Sequence, residues 1–273
     1  STRRDFHLAE KKQREAELRA ALQRGEFELY YQPRYRTEEG SIASAEALIR
    51  WHHPRRGMIG PDEFIGLAEE SDLIVQIGNW VLRQACSSAA SWPGEVMVSV
   101  NVSPAQFISG DIVWQVREAL RLAHLDARRL ELEVTENVML NDVDGALRTM
   151  TALKELDVRL NMDDFGTGYS SLGYLRTYPF DSIKIDKRFI ANMEKTGRDR
   201  SIVQAIINLG NALNLRVTAE GVETEGQMRI LRDEKCHELQ GFLLSRPVDG
   251  QRLQALLRSE TALAPPPART GHG

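Results

Sequence analysis

Glu46, Asn101, Glu133, Asp163, Lys184 and Glu220 lie far apart in the sequence but share one local setting. Each stands late in a short segment whose polar and apolar residues alternate. The polar series read Ser44, Glu46, Leu48, Arg50, then a run ending at Asn101, then Glu131, Glu133, Thr135. Further on they read Arg159, Asn161, Asp163, then Ser182, Lys184, Asp186, then Arg216, Thr218, Glu220. Alternation of period two puts each series on one side of an extended strand. Where such strands lie side by side, acids from remote stretches converge, and converging carboxylates repel unless cations stand among them. The chemistry this pattern offers is coordination of divalent metal ions by hard oxygen ligands.

Asp163-Asp164 ends one of these segments and opens Phe165-Gly166-Thr167-Gly168-Tyr169-Ser170-Ser171-Leu172. Adjacent carboxylates at a strand end can bridge two cations, and the glycines allow a tight backbone path past them. Lys184 is the inward cation of its segment, either a buried partner for a neighbouring acid or a charge that orients a hydrolytic water; the two roles are compatible. Arg50 shares the parity of Glu46 and offers a bidentate phosphate clamp, against the plainer reading of a surface arginine. His52-His53-Pro54 is expected in a structural loop, because adjacent side chains diverge and Pro54 and Gly57 punctuate the chain. His237 is read as structural, and Cys86 and Cys236 as reduced, buried thiols.

Eight strands are expected at 27–32, 42–50, 96–102, 130–135, 158–163, 182–186, 215–220 and 237–242. Helices are expected at 8–24, from Pro61, and over 76–91, 111–124, 142–156, 199–213, 224–234 and 250–259. The alternation predicts an α/β fold, a modified (β/α)8 TIM-like barrel. Connection 33–41 is too short for a helix, so the first strand is expected to run antiparallel to the second. Helix-length connections elsewhere cover both sheet faces, which favours convergent ligands over a sheet with one solvated face. The charged helix over 8–24 is either packed on the domain edge or a signalling linker.

The 273 residues, 42% hydrophobic and 27% charged with net charge −4, suit a globular chain with no bulk attraction for DNA or an anionic membrane. No apolar run approaches the roughly 20 residues of a bilayer span. The start, Ser1-Thr2-Arg3-Arg4-Asp5, has no initiator Met and no signal-peptide core, and is expected to be part of something longer.

Glu46-Ala47-Leu48-Ile49-Arg50-Trp51 resembles the signature of the EAL domain, the cyclic di-GMP phosphodiesterase family of bacterial signalling. The likeness runs from Tyr31-Gln32-Pro33 to Ser245-Arg246-Pro247. It includes Asn101-Val102-Ser103, Glu133-Val134-Thr135-Glu136, Asp163-Asp164-Phe165-Gly166, Lys184-Ile185-Asp186, Ala219-Glu220-Gly221-Val222-Glu223 and Gln240-Gly241-Phe242. The resemblance implies hydrolysis of cyclic di-GMP to linear pGpG with two divalent cations, Mg²⁺ or Mn²⁺. It carries metal ligation to Glu46, Asn101, Glu133, Asp163, Asp164 and Glu220, and contact with the hydrolytic water to Lys184. Glu220 also joins Lys184 in handling the proton. Glu136 matches a residue steadying the loop after Asp164, Glu223 and Gln240 match the active-site mouth, and Gln32, Leu48 and Arg50 match substrate contacts. Phe242 departs from a frequent tyrosine and His237 from a frequent acid, both outside the ligand set.

The charged N-terminal stretch is expected to be a helical linker over 1–25, followed by the phosphodiesterase domain over 26–260 and, from its proline-rich composition, a disordered tail over 261–273. An upstream sensory or GGDEF-type module, no DNA partner and a cytoplasmic location, with the option of a longer membrane-anchored protein, are expected, and the resemblance adds a homodimer. The alternatives are a catalytically silent cyclic di-GMP receptor, another metal-dependent barrel such as an enolising enzyme, and a regulatory scaffold.

Overall fold

The computed structural model describes residues 2–140, 142–166 and 172–259, with the side chains of 2–8 and 172 outside that description. The C-terminal tail and residues 167–171 of the Gly-rich loop lie outside the described residues.

The strands are β1 Phe27–Arg36, β2 Ile42–His53, β3 Gly57–Ile59, β4 Met97–Asn101, β5 Leu130–Val134, β6 Arg159–Phe165, β7 Ser182–Ile185, β8 Arg216–Glu220 and β9 Glu238–Gln240. β2 and β4 to β9 pair in parallel in chain order. β1 pairs antiparallel with both β2 and β9 and closes an eight-stranded barrel. The short turn between β1 and β2 leaves no room for a crossover helix, so the chain must reverse.

On one strand face Val98, Val100, Leu130, Leu132, Val134, Ile183 and Ile185 pack into the apolar layer of the core. The opposite face is equally dry. Ser99, Glu131, Glu133, Asn161, Lys184 and Thr218 are each 2% exposed or less. Polar alternation here therefore marks a charged barrel interior and not a solvated sheet face.

The structure departs from the sequence reading in several places. β1 runs to Arg36, four residues past its expected end at position 32. His52 and His53 end a strand, not a loop: Trp51, His52 and His53 pair with Ile59, Met58 and Gly57, so the turn is confined to 54–56. The single helix expected from Pro61 is a 3-10 turn, Pro61–Glu63, followed by Ile65–Glu69, with Phe64 at φ −131° breaking the two apart. Short helices at Pro104–Ile108, Asn137–Leu140 and Lys187–Asn192 had no periodic signal, being too brief to show one.

The N-terminal helix, Thr2–Arg24, buries Leu18 and Ala21 completely in the main core. Cys86 and Cys236 are free and buried. His237 accepts the Val217 N–H at 3.0 Å through Nδ1, a structural contact. No helix among the described residues is long and apolar enough to cross a membrane.

Candidate active site

Asn101, Glu133, Lys184 and Glu220 each occupy the last or penultimate position of β4, β5, β7 and β8, where a parallel barrel presents its functional groups. Lys184 is the hub. Its Nζ donates to Glu46 Oε2 and Glu133 Oε2, both at 3.0 Å, and lies 3.8 Å from Asp163 Oδ1 and Glu220 Oε2. Acids from four strands therefore meet around one ammonium that is 1% exposed. Asn101 Nδ2 donates to the other oxygen of Glu46 at 2.8 Å. Burial opposes ionisation of Glu46, but Lys184 and Arg34, with the amides of Gln240 and Asn101, outweigh it and hold its carboxyl down at about 2.

Beneath this ring stands Arg34, fully buried and absent from the sequence reading because β1 was expected to stop short of it. Its Nη1 donates to Glu131 Oε1 at 2.7 Å, its Nη2 to Glu133, and its Nε to Gln240 Oε1 at 2.9 Å. Ser99 adds a hydroxyl donor to Glu133, and Ser182 and Asn161 donate to Glu131. The available signal was parity, since Arg34 follows Gln32 at the same spacing as Arg50 follows Leu48.

Asp163 and Asp164 are consecutive, and a regular strand would point them to opposite faces. The ladder between β6 and β7 slips between Met162 and Phe165, so three steps on β6 match two on β7. Asp164 takes up the extra residue at φ +53°, a left-handed conformation that aspartate tolerates better than most side chains. The bulge brings both carboxylates to the Glu220 side, where one oxygen from each of the three lies within 4.8 Å of the others. After Glu220, Gly221 turns at φ +78°, and a Cβ there would meet Lys187 Cβ at 2.6 Å.

This rim is rich in acids, and the ammonium near both Asp163 and Glu220, Lys184 at 3.8 Å, is shared with Glu46 and Glu133. Burial, then the neighbouring Asp163, Asp186 and Glu220, push the Asp164 carboxyl up to about 7. Burial likewise raises Glu220, against the opposing pull of Lys184. A hard, all-oxygen donor set short of positive charge fits a divalent cation such as Mg²⁺ or Mn²⁺. Glu46 and Glu133 are engaged with Lys184 and Arg34, Glu46 also with Gln240, and Asn101 is held to Glu46.

The remaining sequence-derived candidates fall in different places. Gln240 is buried and donates to Glu46 Oε2 at 2.7 Å and to Gln32 Oε1 at 3.0 Å, while Gln32 donates to the Ser245 carbonyl at 3.2 Å. Leu48 lines a cavity of about 750 Å³ that also borders Asn101 and Glu133 and is walled by Ile49, Ile65 and Val102. Arg50 stacks over the Tyr30 ring at 5.5 Å. Glu136 is mostly buried, which raises its carboxyl pKa; most of the loop it was matched to lies outside the described residues. Glu223 is exposed on the segment after β8, its N–H donating to Gln227.

Comparison with known proteins agrees with this arrangement. The EAL domain model matches residues 15–247. The chain is 44% identical over 262 residues to the protein named cyclic di-GMP phosphodiesterase NbdA of Pseudomonas aeruginosa, covering 94% of this chain and 34% of that protein. A solved structure described as PaMucR phosphodiesterase in complex with c-di-GMP superposes with a TM-score of 0.85 at 43% identity, over 88% of this chain and 99% of that one. The EAL enzyme Bd1971, solved with cAMP and cyclic di-GMP bound, gives a TM-score of 0.88 at 30% identity, over 92% of this chain and 70% of that one. The chain spans about a third of the length of the curated relatives it matches. With its eight-stranded barrel, its ring of acids and a family match across most of its length, the chain belongs to the EAL domain family.

Proposed function

We propose that this chain hydrolyses one phosphodiester of cyclic di-GMP, releasing linear pGpG, with two divalent cations, Mg²⁺ or Mn²⁺. The residues assigned to hold them are Glu46, Asn101, Glu133, Asp163, Asp164 and Glu220. The observation that carries the reading is the single buried ammonium of Lys184 ringed by Glu46, Glu133, Asp163 and Glu220. When bound, the cations supply activation of water at neutral pH and screening of the phosphate charge.

The chain's own groups do the rest. Lys184 places its positive charge between the inner carboxylates and the rim, where it steadies negative charge on an attacking oxygen. Glu220, its pKa raised by burial, is suited to hold or relay a proton at Oε2. Leu48 and the cavity beside it offer an apolar wall for a base, in the size range of small-molecule sites, roughly 300–1,000 Å³. Arg50, whose guanidinium lies over the Tyr30 ring, is assigned to a substrate phosphate. Gln32 is assigned to substrate contact, Gln240 and Glu223 to the mouth of the site, and Glu136 to steadying the loop after Asp164. In the whole protein this chain is assigned the phosphodiesterase role downstream of a sensory or GGDEF-type module, an arrangement suggested by its relative named a bifunctional diguanylate cyclase/cyclic di-GMP phosphodiesterase.

The test is incubation of purified protein with cyclic di-GMP and Mg²⁺ or Mn²⁺, with products separated by chromatography. Appearance of pGpG, abolished by a chelator, is the expected result. Tight binding without product under either metal would replace this reading with that of a receptor.

A further inference from the structure

We propose that Arg34 is a positioning residue for the reaction, locking Glu133 directly and Glu46 both by a direct ion pair at 3.8 Å and through Gln240. The inference rests on the phosphodiesterase reading above. Arg34 is 0% exposed, so substrate cannot reach it, and its influence must pass through its neighbours.

Its planar fork donates three hydrogen bonds, to Gln240 through Nε, to Glu131 through Nη1 and to Glu133 through Nη2, and Nη2 also lies 3.8 Å from Glu46 Oε2. Glu133 is thus gripped from both ends, with Oε1 held by Arg34 and Ser99 and Oε2 by Lys184. One carboxylate oxygen is kept turned into the barrel and the other toward the hub.

The contact to Gln240 does something less obvious. A side-chain amide has one acceptor and one donor end and can sit either way round. Arg34 donates to Oε1 at 2.9 Å, which a flipped amide could not accept. The amide nitrogen is therefore forced toward Glu46 Oε2 at 2.7 Å and Gln32 Oε1 at 3.0 Å. Without Arg34 the donor to Oε1 is lost, and the orientation of the amide rests on its two acceptors, Glu46 and Gln32, alone. A lysine at position 34 keeps the charge but not the fork, and cannot orient three acceptors in one plane.

Two variants separate positioning from charge balance. R34K keeps the positive charge. R34M/E131Q removes Arg34 together with the charge of Glu131, so no unpaired acid is left at that contact. Folding is verified by circular dichroism, Mn²⁺ affinity is measured by titration calorimetry without substrate, and kcat and KM are measured with cyclic di-GMP. Both variants are expected to fold and to bind Mn²⁺ roughly 10–100-fold more weakly, with kcat falling more than KM rises and R34K retaining more of each than R34M/E131Q. Folded variants with native Mn²⁺ affinity and native kcat, differing only in melting temperature, would show a merely structural arginine and overturn the inference. In that case wild-type protein still binds Mn²⁺ and yields pGpG. A wild type that does neither overturns the phosphodiesterase reading, and this inference with it.

Discussion

Lys184 and Glu46, 138 residues apart in the chain, meet at 3.0 Å inside the barrel. The same ammonium holds Glu133 at the same distance. Removing ions from water costs several kcal/mol each even after relaxation, so acids gather in this interior only because a cation is built in with them. The fold thereby assembles the inner carboxylates before any metal arrives, while the rim of Asp163, Asp164 and Glu220 stays short of positive charge.

Glu46→Ala and Asp163→Asn are expected to lower turnover of cyclic di-GMP by at least about 10²-fold while the domain stays folded. Glu46→Ala leaves Lys184 paired with Glu133, and Asp163→Asn keeps the shape of its side chain. Near-normal rates in either variant at ordinary Mg²⁺ would refute the ligand assignment.

Lys184→Met leaves two buried carboxylates sharing Arg34 as their cation and is expected to cost about 3–5 kcal/mol of metal-free stability. Mn²⁺ is expected to return more stability to this variant than to wild type, because it replaces the positive charge the acids have lost. Denaturant unfolding with and without Mn²⁺ measures both quantities. Equal metal stabilisation in the two proteins would show that Lys184 and the cations act on separate groups.

The raised carboxyls at the rim set the pH response. Asp164 titrates at about 7 in the metal-free fold against an ordinary value near 3.8, and Glu220 is shifted the same way. Between roughly pH 4 and pH 7 the folded state therefore holds protons that the unfolded chain has released, so metal-free stability falls as pH rises through that window. Glu46, depressed to about 2, acts oppositely, but its contribution is lost only as pH falls below the ordinary carboxylate range. Metal competes with the same protons, so its apparent affinity is expected to climb as pH rises toward 7 and to level off above it. Melting curves across this range, with and without Mg²⁺, test both slopes. Asp164→Asn should flatten the metal-free one.

Leu18→Ala addresses the N-terminal helix. Leu18 is 0% exposed within the main core, and its truncation is expected to cost about 2–5 kcal/mol. A helix serving only as a linker would show almost no change in unfolding free energy.

The barrel was legible in the sequence because its strands alternate cleanly and their connections are helix-length, except the one that forces β1 antiparallel. The inward set from Glu46 to Glu220 was legible for the same reason. Arg34 was not, because Pro33 interrupts the strand signal just before it, and a proline inside a run argues against a strand. Its place is allowed here because β1 pairs with β9 only at Tyr35 and Arg36, so that ladder does not reach Pro33, and the β1–β2 register shifts just beyond it, between Arg34 and Tyr35. The shared orientation of Asp163 and Asp164 was hidden as well, since strict alternation separates them and only the bulge on β6 brings them together. The β2–β3 hairpin was lost behind Pro54 and Gly57, which marked a turn but concealed that strands flank it.

Diffraction from crystals soaked in manganese, collected at the manganese absorption edge, addresses the central claim most directly. Anomalous peaks among Asp163, Asp164 and Glu220 and beside Glu46 and Glu133 are the expected result. A map with no peak there, and with those carboxylates turned away from one another, would contradict the account.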